Sequence, residues 1–178
     1  MALLTRQEIV NGLQRLGQLA AANGDKLRLM VVGGAAIVLG FNTRESTHDI
    51  DALFLSPPDA KAVREWVALV ARELGWPDDW LNDAAKGYVV GLTAGPVLLS
   101  SPGIEVCRAT TEQLLAMKLC AWRDDVDIGD ASHLLKELAP AHKREEIWQR
   151  LIPHLIPGHE LKAQYAFDDL WESLHGNT

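Results

Sequence analysis

The sequence predicts an α/β or α+β fold, in which helices alternate with strands and a helical part follows at the C-terminus. Helical apolar periodicity alternates with short, apolar, strand-like runs over residues 1–109, whereas residues 110–178 carry helical patterns only. The length of 178 residues fits one domain. We therefore predict a single domain over 1–178, with a core over 1–109 and a helical part over 110–178 packed on it.

The first half of the chain shows two clear helical stripes with strand-like runs between them. Thr5 and Glu8 have the spacing of a capping box, which opens a helix that Asn23 and Gly24 end. In chain order, the elements predicted after this helix are a strand over 27–32, a short helix over 35–39, a polar loop over 41–47, a strand over 48–55 and a helix over 59–74.

The second half begins with strand-like runs and ends with helices. Strands are predicted over 88–92 and 96–99, with a turn over 93–95, and a further strand over 104–108. Thr110 to Gln113 has capping-box chemistry and opens a helix that runs to about Trp122. Further helices are predicted from about Asp127 through Leu138, over 141–152 and over 159–174.

Composition limits the classes of function. The 17 basic and 24 acidic residues give a net charge of −7, which argues against an extended nucleic-acid-binding surface. Cys107 and Cys120 lie in apolar runs and are interpreted as small buried residues, which fits a reducing cytoplasm. No signal-peptide pattern and no apolar stretch of membrane-spanning length are present, so we expect a cytoplasmic protein without membrane contact.

Asp49 and Asp51 are the first candidate for chemistry. On a strand, residues two apart point to the same face, with Cα atoms about 7 Å apart. If the two carboxylates converge to about 5 Å, their repulsion is roughly 3 kcal/mol at an effective dielectric of about 20. A bound cation offsets this cost, and carboxylate oxygens suit Mg²⁺ or Mn²⁺ better than zinc. The pair therefore predicts a magnesium or manganese site.

A glycine pair lies just upstream of these acids. Gly33 and Gly34 separate a predicted strand from a predicted helix, where backbone N–H groups favour a phosphate. Arg44 and Thr47 lie in the loop before the acids, within possible reach of the same phosphate. Taken singly, a Gly-Gly pair is more often an ordinary turn, and Asp-x-Asp is more often a solvated strand end. In this order and spacing, the two together favour a functional site.

These residues resemble a known superfamily. Gly-Gly, a short helix and loop, then Asp-hydrophobic-Asp is the motif of nucleotidyltransferases of the DNA polymerase β type. Residues 114–138 also resemble the C-terminal motif of abortive-infection (AbiEii-like) toxin nucleotidyltransferases, and the whole resemblance covers roughly 27–138. It implies a nucleotidyltransferase fold with a mixed sheet flanked by helices, an NTP substrate and Mg²⁺ (or Mn²⁺).

The first motif carries over residue by residue. Gly33 and Gly34 match the glycine pair that cradles the triphosphate, and Asp49 and Asp51 match the metal-binding acids. Arg44 and Thr47 match positions that are often polar or basic in this superfamily, and we expect them to contact the nucleotide.

The second motif supplies further candidates. Lys118 matches the motif lysine, which the resemblance implies contacts nucleotide phosphate; by itself it also fits a snorkelling surface lysine. Asp127 matches the downstream acid, which would position Lys118 or activate the acceptor, and Asp130 matches the acid after it. Val126 departs from the basic residue usual before Asp127, which weakens any phosphate or RNA contact there.

A third carboxylate often lies on a later strand in this superfamily. Glu105 is the best candidate for it, as a third metal ligand. The alternative is that Glu105 belongs to the solvent-facing side of a strand, and the sequence favours this alternative slightly.

Two functions remain open at this stage. The first is a Mg²⁺-dependent nucleotidyltransferase that moves NMP from an NTP to an RNA end, a protein hydroxyl or a small molecule, as the toxin of a toxin–antitoxin pair if the resemblance extends that far. An antitoxin would then be a partner. The second is a catalytically degenerate nucleotidyltransferase fold that binds a nucleotide or a protein.

Overall fold

The computed structural model describes residues 3–56, 58–123 and 125–176. Its internal contacts divide the chain into two compact units. The first unit comprises residues 1–86 and 94–109, and the second comprises residues 87–93 and 110–178. The predicted packing of 110–178 on 1–109 stays a prediction.

A five-stranded mixed sheet is the centre of the first unit, and its strands lie in the order β5-β4-β2-β7-β6. The central strand β2 is parallel to β7 and antiparallel to β4, β4 is parallel to β5, and β6 is antiparallel to β7. A separate ladder pairs β1 with β3. The strands are β1 (Leu4–Thr5), β2 (Leu27–Val31), β3 (Ser46–Thr47), β4 (Ile50–Phe54), β5 (Leu81–Asn82), β6 (Ala94–Ser101) and β7 (Ile104–Ala109).

Three helices accompany this sheet: α1 (Arg6–Ala22), α2 (Gly33–Gly40) and α3 (Ala60–Leu74). The predicted capping box of α1 is present, with both the Thr5 and the Glu8 side chains bonded to the helix start. Asp59 caps α3 through bonds from two backbone N–H groups. The α/β class, with a mixed sheet and flanking helices, is confirmed.

Trp80 anchors the short strand β5. Its side chain is buried, and its indole Nε1 donates to the backbone oxygen of Val67 in α3 at 3.0 Å. The Trp80 backbone oxygen accepts from the N–H of Ile50 at 2.7 Å, which aligns β5 with β4. Trp76 packs edge-on against Trp80, with ring centroids 5.2 Å apart. Burial of this large ring places Asn82, two residues later, beside β4.

The predicted strand over 88–92 and the predicted turn over 93–95 were wrong. Residues 84–88 form a 3₁₀ helix, and 89–92 are not a strand. Ala94 and Gly95, predicted as part of a turn, begin β6. A Cβ atom on Gly95 would lie 3.0 Å from the backbone oxygens of Arg108 and Ala109, so this glycine permits close strand approach and makes no turn.

The second unit contains four α-helices in its described residues: α4 (Thr111–Ala121), α5 (Asp125–Leu138), α6 (Arg144–Leu151) and α7 (Glu160–His175). All four were predicted, with bounds that differ by a few residues at some ends. Cys120 is buried here, as Cys107 is in β7, so the interpretation of both cysteines is confirmed. None of the helices in the described residues has the length and apolar composition that a membrane span requires.

The start of α4 is only half a capping box. The Thr110 hydroxyl accepts from the Gln113 backbone N–H at 3.3 Å, as predicted. The Gln113 side chain is fully buried, and it bonds instead to Thr93 N and to the backbone oxygens of Val90 and Gly91. These bonds give the buried amide its partners and hold the irregular residues 90–93 on the helix.

Candidate nucleotide and metal site

The glycine turn and the acidic pair lie next to each other across two strands. Ala52 of β4 pairs with Val31 of β2, and the Val32 N–H donates to the backbone oxygen of Asp51 at 3.0 Å. Gly33 is the residue after Val32 in the chain. The antiparallel register therefore brings the end of β2 to the start of β4. Gly33 and Asp51 are thus neighbours in space although 18 residues separate them along the chain.

The Gly33 backbone lies close to the Asp51 carboxylate. Its φ is +57°, in the left-handed region that costs a residue with a side chain about 1–2 kcal/mol. A Cβ atom at Gly33 would lie 3.1 Å from Asp51 Oδ2. Glycine at this position thus keeps the carboxylate against the first turn of α2, which begins at Gly33, two residues earlier than predicted.

Gly34 is enclosed by two of the predicted nucleotide-binding residues. A Cβ atom there would lie 2.5 Å from Thr47 Oγ1 and 3.2 Å from Arg44 Nη1. Thr47 is buried in β3, and Arg44 Nε donates to the Ser46 backbone oxygen at 2.7 Å. The segment 41–47 was predicted as a loop, but it contains the short strand β3. Arg44 and Thr47 of this segment lie beside the glycine turn.

Gly34→Ala is expected to destabilise the first unit by about 1–3 kcal/mol, because the new methyl group overlaps the buried Thr47 hydroxyl. Chemical unfolding in urea measures the change. Gly129→Ala in α5 is the matched control: no atom lies within 4 Å of a Cβ built there, and alanine should stabilise the helix by about 0.5–1 kcal/mol. Equal effects of the two substitutions would contradict the close approach at Gly34.

Asn82 is a site residue that the sequence analysis missed. Its Nδ2 donates to Asp49 Oδ2 at 3.0 Å, and β5 pairs Asn82 with Asp51 in a parallel ladder. A strand of two residues has no periodicity, so no pattern marked it. The only signal was the polar Asn82 after the apolar Leu81.

Glu105 is not brought to the acidic pair. On β7 it pairs with Arg28, and the Arg28 backbone oxygen accepts from Leu55 N, so Glu105 is level with position 55 and four residues from the level of Asp51. At about 3.3 Å per residue this is a separation of some 13 Å along the sheet. Its carboxylate accepts from Arg28 Nε at 3.1 Å. The register thus corrects the suggested third ligand and favours the surface alternative.

Lys118 lies in a buried charge cluster of the second unit, which we call the Lys118 cluster. Lys118 Nζ is 2.8 Å from Asp127 Oδ1 and 2.7 Å from Asp130 Oδ2, and Arg123 Nε is 2.9 Å from Asp127 Oδ2. The side chains of Lys118, Asp127 and Asp130 are only 12 %, 3 % and 7 % exposed. Lys118 is therefore not a snorkelling surface residue, and its charge is balanced within the cluster.

The Asp127 carboxylate is held ionised by its neighbours. Burial acts to raise its pKa, but hydrogen bonds from Arg123 and Lys118 and the charges of both outweigh burial, so the pKa lies below its ordinary value. A lowered pKa means that the folded state gains stability above the unfolded pKa of about 3.9 and loses it as the pH falls through the folded value.

Asp127→Asn is accordingly expected to lower the free energy of unfolding by about 1–3 kcal/mol at neutral pH, since it weakens two hydrogen bonds between charged groups. The deficit should be constant between about pH 5 and 8 and should shrink below about pH 4. Urea unfolding of both proteins across this range measures it. A deficit of the same size at pH 3 and pH 7 would show that the charge of Asp127 is irrelevant.

The site in the first unit fits a small divalent cation. Asp49 and Asp51 offer carboxylate oxygens, and Mg²⁺ is commonly bound through one or two carboxylates with substrate phosphates and water completing its coordination. Among the described residues, no three His, Cys, Asp or Glu side chains are grouped to hold a metal ion by themselves. Gly33 leaves room beside Asp51 that a Cβ atom would fill. The donor set thus suits a cation that arrives with phosphate.

Comparison with known proteins agrees with this arrangement. Residues 11–139 match the model of a family described as "Nucleotidyltransferase of unknown function (DUF6036)". No curated protein and no solved structure matches the chain. The matched range covers well over half of the 178 residues and contains the glycine pair, Asp49 and Asp51, and the Lys118 cluster. The chain therefore belongs to this nucleotidyltransferase family.

Proposed function

We propose that this protein is a Mg²⁺-dependent nucleotidyltransferase that moves NMP from an NTP to an acceptor hydroxyl and releases pyrophosphate. One observation carries the proposal: in a member of a nucleotidyltransferase family, the Gly33 backbone lies directly against the Asp51 carboxylate. A phosphate-binding turn and a cation-binding pair are thereby adjacent, which is what phosphoryl transfer by positioning and charge stabilisation requires.

The residues of the first unit take the following roles in the proposal. The Gly33 and Gly34 N–H groups at the start of α2 bind triphosphate oxygens, favoured by the positive end of the helix dipole. Arg44 and Thr47, which lie beside Gly34, add a positive charge and a hydroxyl next to the same phosphates. Asp49 and Asp51 hold the cation. When bound, Mg²⁺ or Mn²⁺ neutralises charge that develops on the transferred phosphoryl group.

Lys118 and Asp127 enter the proposal through the resemblance to AbiEii-like enzymes. That resemblance implies that Lys118 contacts nucleotide phosphate and that Asp127 positions Lys118 or activates the acceptor. The contact of 2.8 Å between the two side chains supports the positioning role. Because Asp130 also binds Lys118, a phosphate oxygen would share the three Nζ–H donors of Lys118 with two carboxylates. A role as toxin, with an antitoxin partner, belongs to the same resemblance.

The acceptor is an RNA end, a protein hydroxyl or a small molecule, and one experiment separates these. The protein is incubated with each α-³²P-labelled NTP, Mg²⁺ and a cell lysate or purified total RNA, and labelled products are resolved by size and by nuclease or protease sensitivity. We expect label in one class, absent from a protein that carries both Asp49→Ala and Asp51→Ala.

The competing proposal is a degenerate fold that only binds nucleotide or protein. Two features favour it: Glu105 lies away from the acidic pair, and Val126 replaces the basic residue that is usual before Asp127. The presence of both acids beside the glycine turn counts against it. Metal-dependent NTP binding in calorimetry with no labelled product would establish the binding module. If the protein shows neither transfer nor metal-dependent NTP binding, the enzyme proposal is ruled out.

A further inference from the structure

We infer that Asn82 is a positioning residue that orients the Asp49 carboxylate for cation binding. The inference rests on the proposed function and adds a residue that neither the family description nor the motifs contain. Asn82 holds Asp49 by a neutral amide donor, which β5 carries at the edge of the sheet.

The β4–β5 ladder puts Asn82 on the correct side of the sheet. Ile50 pairs with Leu81 and Asp51 pairs with Asn82 in parallel register. Paired residues project to the same face, and so do residues two apart on one strand. Asn82 and Asp51 therefore share a face, and the 3.0 Å bond from Asn82 Nδ2 to Asp49 Oδ2 holds Asp49, which lies in the bend just before β4, beside Asn82.

The orientation of the Asn82 amide is determined by its other bonds. Its Oδ1 accepts from the Ala84 N–H at 2.9 Å, which requires oxygen on that side. Its Nδ2 donates to the Asp79 backbone oxygen at 3.3 Å as well as to Asp49. Since an amide nitrogen only donates and a carboxylate only accepts, the nitrogen must face Asp49.

The charge of the side chain at position 82 explains why an amide suits this place. A carboxylate at position 82 would add a negative charge beside Asp49, whereas an amide adds a hydrogen bond and no charge. The bond engages Oδ2 of Asp49, and we expect the other carboxylate oxygen to bind the cation. Groups that orient a metal ligand in this way typically contribute about 10–100-fold to metal affinity.

The test measures Mn²⁺ affinity directly. Free Mn²⁺ is followed by electron paramagnetic resonance during titration of the full chain with a non-hydrolysable NTP analogue present. Asn82→Ala and Asn82→Ser are each expected to weaken Mn²⁺ binding about 10-fold. In the transfer assay, the Mn²⁺ concentration for half-maximal rate should rise by a similar factor, with a smaller change in the rate at saturating Mn²⁺.

Asn82→Ser tests whether Asn82 acts by orienting Asp49 or only by holding the turn at Ala84. Its hydroxyl can still accept from the Ala84 N–H, as serine does in such turns, but it is too short to reach Asp49. The serine variant should therefore keep the unfolding midpoint of the unchanged protein and still bind Mn²⁺ weakly. Asn11→Ala, which removes an exposed amide bonded to Gln7 on α1, is the matched control and should leave Mn²⁺ affinity unchanged.

The outcomes distinguish the inference from the proposed function. If Asn82→Ser, or both Asn82 variants, bind Mn²⁺ with the affinity of the unchanged protein, the positioning role is overturned. The proposed function still stands in that case, provided that Asp49→Ala abolishes Mn²⁺ binding. If the unchanged protein binds no Mn²⁺, or if binding survives Asp49→Ala, the proposed cation site and the role of Asn82 are both wrong.

Discussion

Asp49→Asn and Asp51→Asn are each expected to lower the rate of nucleotidyl transfer about 10³-fold. Loss of a carboxylate ligand forfeits several kcal/mol of the charge stabilisation that a bound cation supplies, and about 4 kcal/mol corresponds to a factor of roughly 10³. The fold should survive, because both acids are half-buried and lie outside the core, Asp49 just before β4 and Asp51 near its start. The measurement is the initial rate of labelled NMP transfer at saturating NTP.

A thermal shift experiment checks that the loss concerns the cation. Binding of Mg²⁺ and a non-hydrolysable NTP analogue should raise the Tm of the unchanged protein, since a ligand at about 100 times its Kd adds some 2.7 kcal/mol. The asparagine variants should show the Tm of the unchanged protein without ligand and little rise with it. Asp79→Asn, which changes an exposed acid near β5, is the control. A full rise in Tm for Asp51→Asn would contradict the cation site.

Lys118→Met is expected to lower the free energy of unfolding by about 3–5 kcal/mol. Removing one partner of a buried ion pair leaves an uncompensated charge, and here two carboxylates, Asp127 and Asp130, lose their shared cation. Arg123 continues to bond Asp127, but its own side chain is largely exposed. Total stability is commonly about 5–15 kcal/mol, so the variant should be partly unfolded at modest urea concentrations.

The comparison with Lys61→Met isolates the effect of burial. The Lys61 side chain is 79 % exposed and has a 3.9 Å contact with Glu65, so its loss should cost less than about 0.5 kcal/mol. Adding Asp127→Asn and Asp130→Asn to Lys118→Met should restore part of the stability, because both buried negative charges that Lys118 had balanced are then removed. An unchanged urea midpoint in Lys118→Met would show that the Lys118 cluster does not stabilise the second unit.

Local patterns determined much of this protein. The capping residue Thr5, the apolar stripe of α3 and the glycine after β2 act over a few residues, so their consequences follow from spacing alone. The same holds for the helices from 110 onward and for the buried cysteines. The candidate site was indicated because its two halves, the glycine pair and Asp49 with Asp51, lie close together in the chain.

Strand register and tertiary packing decided the rest. Gly34 meets Thr47 because β3 pairs with β1, Glu105 lies away from Asp51 because β7 pairs with β2 in one particular register, and Asn82 meets Asp49 through a strand of two residues. Burial of Lys118 between Asp127 and Asp130 likewise depends on how α4 and α5 pack. Contacts between distant segments depend on the energy of the whole fold, and a one-residue slip of a strand would reverse the face of every side chain on it.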